Sequence, residues 1–164
     1  MRLWHKKLTP YLPDMQLKGQ WRECCLIADA LAKNGTPNHL LVNRMIEYEP
    51  NHFEEYFLLV IGEMRKRGFS ISKKSGNNLA KNFSEYALNP STKRFSFILS
   101  FAKDEQSIID NLFPDWHNKE YLRVCMANLY EKHFFGVGKS RITDAEWETL
   151  CRGYKEITGE EYVI

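Results

Sequence analysis

The sequence has no run approaching the roughly 18 apolar residues that a membrane-crossing helix requires, so no such span is expected. Its four cysteines, Cys24, Cys25, Cys125 and Cys151, contain no CxxC pair. Adjacent Cys24 and Cys25 are poorly placed to clamp a metal, so all four read as reduced, half-buried thiols. The five histidines, His5, His39, His52, His117 and His133, fall in no HExxH or similar ligand spacing, and no metal site or cofactor is expected. No serine occupies a GxSxG elbow. No low-complexity tract argues for disorder. The positively charged start "MRLWHKKLTPYLP" is not followed by an apolar stretch of about 7–15 residues, so a secretory signal is not expected and the anticipated location is the cytoplasm.

What remains is the composition of a globular protein, 43% hydrophobic and 27% charged over 164 residues. A chain of this length buries about 68–70% of its unfolded surface, which suits a single domain spanning 1–164. Formal net charge is only +2, but its distribution is uneven. Residues 65–103 carry nine Lys/Arg against one Asp/Glu, and residues 104–164 carry seven against twelve. The basic middle is either a solvated surface or the electrostatic footprint of a polyanion.

Periodicity predicts a mainly α-helical chain. Leu17, Trp21, Cys24, Ala28 and Leu31 line one face of a helix that Asp14 caps and Asn34-Gly35 ends. On that helix Arg22 and Glu23 fall on opposite flanks of the polar side, and Glu23 shares its flank with Gly19, Leu26 and Ala30. A short helix is expected over 38–47, closed by Glu49-Pro50. Asn51 and Glu54 have capping-box spacing ahead of Phe53, Phe57, Val60, Ile61 and Met64, and "RKRG" at 65–68 supplies a stop. "NNLAKNFSEYAL" reads as a helix, "NPSTKR" as a turn, and 95–101 as helix or strand equally. Asp104 caps a short helix ending at Pro114, a further helix covers 118–133, and Thr143 and Glu146 form another capping box. "HFFGVGKS" at 133–140 ends like a phosphate loop but has His133 where glycine is needed and a helix before it, so Gly136 and Gly138 are expected to end that helix and reverse the chain.

One combination goes beyond fold. The run "MQLKGQWRE", with Leu17, Arg22 and Glu23, is followed about forty residues later by a helix ending in "KRGFSI". In this order and spacing it resembles the pyrimidine-dimer DNA glycosylase family, the endonuclease V-like enzymes, and "MRLWH" and "PYLP" resemble a bacterial branch of it. The likeness covers residues 1–72, with 73–164 similar only in helical character. It implies a small helical bundle of the endonuclease V type that needs neither metal nor nucleotide. It further implies a chain whose own α-amine attacks the sugar at a damaged pyrimidine, expels the base and cleaves the strand through a Schiff base.

By this resemblance Met1, or Arg2 after unusual processing, supplies the amine, and Glu23 the carboxylate that stabilises the cationic sugar. Such an amine suits the task, because its reference pKa of ~7.7–8.0 leaves part of it neutral near pH 7 while a lysine at ~10.4 is charged. Arg22 suits a bidentate grip on phosphate. With Arg2 and Gln16, and with Arg65, Lys66 and Arg67 at the basic helix end, it completes the expected DNA-contact set. The small residues Gly19 and Ala30 are expected to let the N-terminal segment lie against the first helix. Position 2 of the family is threonine where this chain has Arg2, and a histidine and an arginine of the family's first helix correspond to Gln16 and Leu26. The expected partner is double-stranded DNA carrying damaged or abasic sites. The rival expectation is a non-catalytic helical module that binds DNA or protein, and a metal-dependent nuclease has no support in the sequence.

Overall fold

The computed structural model describes residues 1–89 and 105–163, and over them the chain forms six α-helices and three short 3-10 segments. The α-helices are α1 (Asp14–Asn34), α2 (Pro50–Lys66), α3 (Lys73–Ala87), α4 (Glu105–Asn111), α5 (Lys119–Phe134) and α6 (Asp144–Thr158). Among the described residues there is no strand, and the architecture is all-α. Helix α1 packs along α3 and α2, while α5 packs on α6. A continuous cluster of buried side chains runs from Leu3 to Tyr154. The expected turn after Asn89, the ambiguous 95–101 and the Asp104 cap lie outside the described residues.

Helix ends follow local chemistry where the cap is a glycine or a hydroxyl. Gly35, directly after α1, and Gly68, one residue beyond the Arg67 cap of α2, take left-handed φ of 69° and 76°, as their missing Cβ permits. Thr143 and Glu146 complete both halves of their capping box on α6, and Asn118 accepts from the Tyr121 N–H at the start of α5. Two expected caps are corrected. Pro50, with φ already set for a helix, starts α2 one residue early, so Asn51 lies inside the first turn and forms no box with Glu54. Asp14 is likewise the first residue of α1 rather than its cap, and its carboxylate meets Arg67 at 3.0 Å. The helix expected over 38–47 shortens to a 3-10 turn, Asn43–Glu47.

The N-terminal segment is the least expected part of the fold. Residues Lys6–Tyr11 form a 3-10 helix, and Leu3, Leu8 and Leu12 are fully buried. Helix α6 closes on it so tightly that a Cβ on Gly153 would meet the Tyr11 ring at 2.3 Å. Below Lys6 lies a stacked pair, His5 and His117, with ring centroids 5.4 Å apart and each only 3% exposed. Their Nδ1 atoms accept from main chain, His117 from the Lys6 N–H at 3.0 Å and His5 from the Lys7 N–H at 3.3 Å. Nε2 of His5 donates to the His117 carbonyl at 2.8 Å.

Burial disfavours the charged form of both rings. His5 is lowered from 6.5 to about 4, and His117 is held well below its ordinary value by burial first and then by repulsion from His5 and Lys6. Between pH 6.5 and 4 the unfolded chain therefore binds a proton at His5 that the folded chain refuses. The His5 contribution to stability is complete above pH 6.5 and is lost as pH falls to 4, with a slope of at most about 1.4 kcal/mol per pH unit. His117 acts in the same direction. Urea unfolding at pH 7 and pH 4.5 is expected to show this loss, and a His5→Asn variant to show a flatter dependence; equal slopes for the two proteins would contradict the assignment.

Candidate active site

The backbone of residues 2–4 is held by side chains from three helices. Gln20 of α1 accepts the Trp4 N–H at 2.8 Å and donates to the Arg2 carbonyl at 3.0 Å. Tyr56 of α2 donates its hydroxyl to the Trp4 carbonyl at 2.7 Å, and Tyr121 of α5 donates to the Leu3 carbonyl at 2.6 Å. Burial pushes both phenols up, which keeps them as donors. Four hydrogen bonds of this kind leave the first residue little freedom of position. Met1 is thereby delivered to α1, where its amine nitrogen lies 3.6 Å from Glu23 Oε2 and 3.2 Å from His39 Nε2.

Glu23 is partly buried, and its Oε2 is shielded from solvent with no hydrogen-bond partner among the described residues. Such an atom gives up solvation without gaining a hydrogen bond in exchange. Its nearest complement is the Met1 amine.

These groups open into a cleft of about 660 Å³. One wall is α1, through Met15, Gln16, Gly19, Gln20, Arg22 and Glu23. The opposite wall is the end of α5 and the turn after it, with Glu131, Lys132, Phe135 and Val137 among its residues. Phe135 and Val137 are largely exposed at its rim. Gly136 shapes this wall, because a Cβ there would strike the Lys132 carbonyl oxygen at 2.0 Å. Gln16 ties the walls together by donating to the Ser140 carbonyl at 3.1 Å.

Of the residues expected from the sequence, the structure brings Met1, Arg2, Gln16, Arg22 and Glu23 into this one cleft. Arg22 and Glu23, expected on opposite flanks of α1, both border it. The Arg2 guanidinium lies over the Trp4 ring, 5.2 Å from its centroid. Arg65, Lys66 and Arg67 do not line it. Arg65 and Lys66 are exposed elsewhere, and the guanidinium of Arg67 is engaged within the protein. Its guanidinium bonds Glu63 at 2.7 Å, Asp14 at 3.0 Å and the carbonyls of Leu12 and Pro10 at 2.6 and 3.0 Å, so its donors are committed to joining α2 to the N-terminal segment. A second, smaller cleft of about 370 Å³ surrounds these already satisfied groups.

The role foreseen for Gly19 also changes. A Cβ there would meet no protein atom within 4 Å, so Gly19 faces the open cleft, and the N-terminal segment is held by Gln20. Sequence reasoning missed Gln20, His39, Tyr56, Tyr121 and the wall from α5. Gln20 alone had a local signal, one turn before Glu23 on the same helix. All four cysteines are free thiols, with Cys24 and Cys125 buried and Cys25 and Cys151 partly so; burial raises Cys125 to about 11. No group of His, Cys, Asp and Glu among the described residues has metal-binding geometry, and no helix among them is long and apolar enough to cross a membrane.

The elements that build the amine end of the cleft, from Met1 through α2, are the ones with a known counterpart. Residues 1–76 match the pyrimidine dimer DNA glycosylase family. The match ends at the first turn of α3 and so contains Met1, Gln20, Glu23 and His39 while omitting the α5 wall. No curated protein and no solved structure matches the chain. The family is one of DNA repair enzymes, and its substrate is DNA.

Proposed function

We propose that this chain is a DNA glycosylase and abasic-site lyase acting on damaged pyrimidines in double-stranded DNA, with the Met1 amine as nucleophile and Glu23 as its carboxylate partner. The observation that carries the reading is the amine nitrogen lying 3.6 Å from a solvent-shielded carboxylate oxygen that makes no hydrogen bond, inside an open cleft. A structural ion pair would find better economy on the surface. A site that must receive a cationic sugar has reason to hold one carboxylate oxygen away from solvent.

The steps follow from these positions. The unprotonated amine attacks C1′ of the deoxyribose, the C1′–N bond breaks, and the base departs with the bonding electrons and takes up a proton. Loss of a proton from the attached nitrogen and opening of the sugar ring give a protonated Schiff base. Its positive charge acidifies C2′, whose proton is removed, and the C3′–O bond breaks with the phosphate as leaving group. Water then hydrolyses the imine and restores the amine. Glu23 stabilises the cationic states and moves protons at O4′ and C2′. Arg2, Arg22 and Lys132 supply positive charge for flanking phosphates, and Phe135 at the rim offers a face on which a displaced base can stack. Extruding the nucleotide costs a few kcal/mol, less at a damaged or abasic position, which favours lesions over intact duplex.

Incubation with an abasic-site duplex followed by borohydride reduction is expected to give a covalent protein–DNA adduct. Absence of an adduct under conditions where the protein demonstrably binds that duplex would overturn the proposal.

A further inference from the structure

We propose that the turn after α5 carries an apolar wedge, Phe135 with Val137, that enters the base stack of double-stranded DNA and holds the duplex open beside the cleft. The inference rests on the DNA substrate proposed above and adds to it residues from outside the segment that matches the family.

Apolar side chains on this turn are left in the open. Phe134, Phe135 and Val137 are 64, 73 and 80% exposed. Single apolar residues scattered over a surface need no explanation, whereas a cluster of them at the rim of a cleft marks a contact. Phe135 and Val137 line the cleft that holds Met1 and Glu23, and Leu41, about half exposed on the loop after α1, borders the same opening.

The turn is also braced. The Phe135 N–H donates to the Glu131 carbonyl at 2.9 Å, the Ile142 N–H to the Lys132 carbonyl at 3.3 Å, and His133 Nδ1–H to the Ile142 carbonyl at 3.0 Å. The Phe135 ring meets Phe134 edge-on with centroids 4.9 Å apart, and Phe134 stacks on Tyr130 at 5.8 Å. Tyr130 in turn packs on Trp147 of α6, 5.4 Å away. An exposed side chain held from behind by two helices has little further freedom to lose on binding, which suits a group that must press bases apart.

Charge selects the occupant. Lys132 stands three residues before Phe135 on α5, and Arg2 and Arg22 border the same cleft. Phosphates held by these cations bring the bases between them to the apolar tips, a pairing of cation and ring that fits a strand whose bases are unstacked. A second copy of the chain seated on the turn would instead cover the opening through which Met1 and Glu23 are reached. Phenylalanine and valine side chains carry no hydrogen-bond donor or acceptor. The wedge therefore tells a duplex that opens easily from one that does not, and does not tell one base from another.

The test uses the full chain and a duplex holding a tetrahydrofuran abasic analogue, which lacks the C1′ oxygen that imine formation requires, with 2-aminopurine as the base beside it. Binding is then read without chemistry. The native protein is expected to raise 2-aminopurine fluorescence as that base is parted from its neighbour. Phe135→Ala is expected to lose this rise and to bind the duplex about five- to 100-fold more weakly, the weight of one base–aromatic stack. On the same duplex with mismatched pairs flanking the analogue, where the stack is already open, the loss is expected to fall below about threefold. Phe135→Trp, which keeps a ring, is expected to retain both signals, and Val137→Ser to show the Phe135→Ala pattern with a smaller loss. Native fluorescence and affinity in Phe135→Ala, or an equal loss on the paired and mismatched duplexes, would overturn the inference. Self-association of the free chain that Phe135→Ala abolishes while DNA binding stays native would also overturn it, and would assign the turn to a second copy. A native fluorescence rise with no borohydride adduct on a true abasic duplex removes the lyase reading and keeps this one.

Discussion

Glu23→Gln is expected to lower strand cleavage at an abasic site by about 10²–10⁴-fold, the usual weight of a positioned acid–base group, while affinity for the same duplex changes less than about twofold. The amide keeps the shape of the side chain but cannot exchange protons or offset a cationic sugar. Binding is expected to be spared because the cations that border the cleft, Arg2, Arg22 and Lys132, are unchanged. Stability separates this outcome from simple damage to the fold. Glu23 pairs with the Met1 amine at 3.6 Å and its side chain is one third exposed, so loss of this partly exposed ion pair costs at most about 1 kcal/mol and the melting temperature is expected to shift little. Cleavage at the native rate by a folded Glu23→Gln protein would displace Glu23 from the reaction.

The second large effect concerns the amine. Acetylation of Met1 is expected to abolish both trapping and cleavage, because an amide nitrogen has no lone pair available to attack C1′ and cannot form an imine. Adding one glycine before Met1 is a subtler version of the same change. It moves the free amine by up to about 3.5 Å, a step as long as the distance that now separates the amine from Glu23, and it converts the present nitrogen to an amide. The extended chain is expected to lose cleavage by about 10²-fold or more, since a misplacement near 1 Å already costs that much at a reacting centre. Four side-chain hydrogen bonds hold residues 2–4, so the added residue cannot be absorbed by sliding the segment. Gel-based cleavage assays on the native, acetylated and extended proteins read this directly, and full activity of the acetylated chain would exclude the amine.

Much of the fold was legible because its signals are local. Gly35 and Gly68 mark helix ends by a backbone conformation that side chains resist, and Thr143 with Glu146 closes a cap within four residues. Pro50 and Asp14 show where local rules compete: a proline that presets φ outranked the Asn51 cap, and an ion pair with Arg67 claimed Asp14. The site was legible only in part. Glu23 and Met1 were nameable through resemblance, but what brings them together is Gln20, Tyr56 and Tyr121 acting on main-chain atoms as many as 118 positions away in sequence. No periodicity encodes such a bond. His39 was equally silent, because an isolated histidine in a polar loop carries no ligand spacing. The internal bonds of Arg67 were not legible, because a cation at a helix end has the same sequence whether it faces solvent or, as here, the carbonyls of Leu12 and Pro10.

The most direct measurement is the chemical location of the trapped adduct. The borohydride-reduced complex with an abasic-site duplex is digested with protease and nuclease, and the sugar remnant is placed by tandem mass spectrometry. A secondary amine at the Met1 α-nitrogen is the predicted result. A remnant on a lysine side chain, with Met1 unmodified, would contradict it.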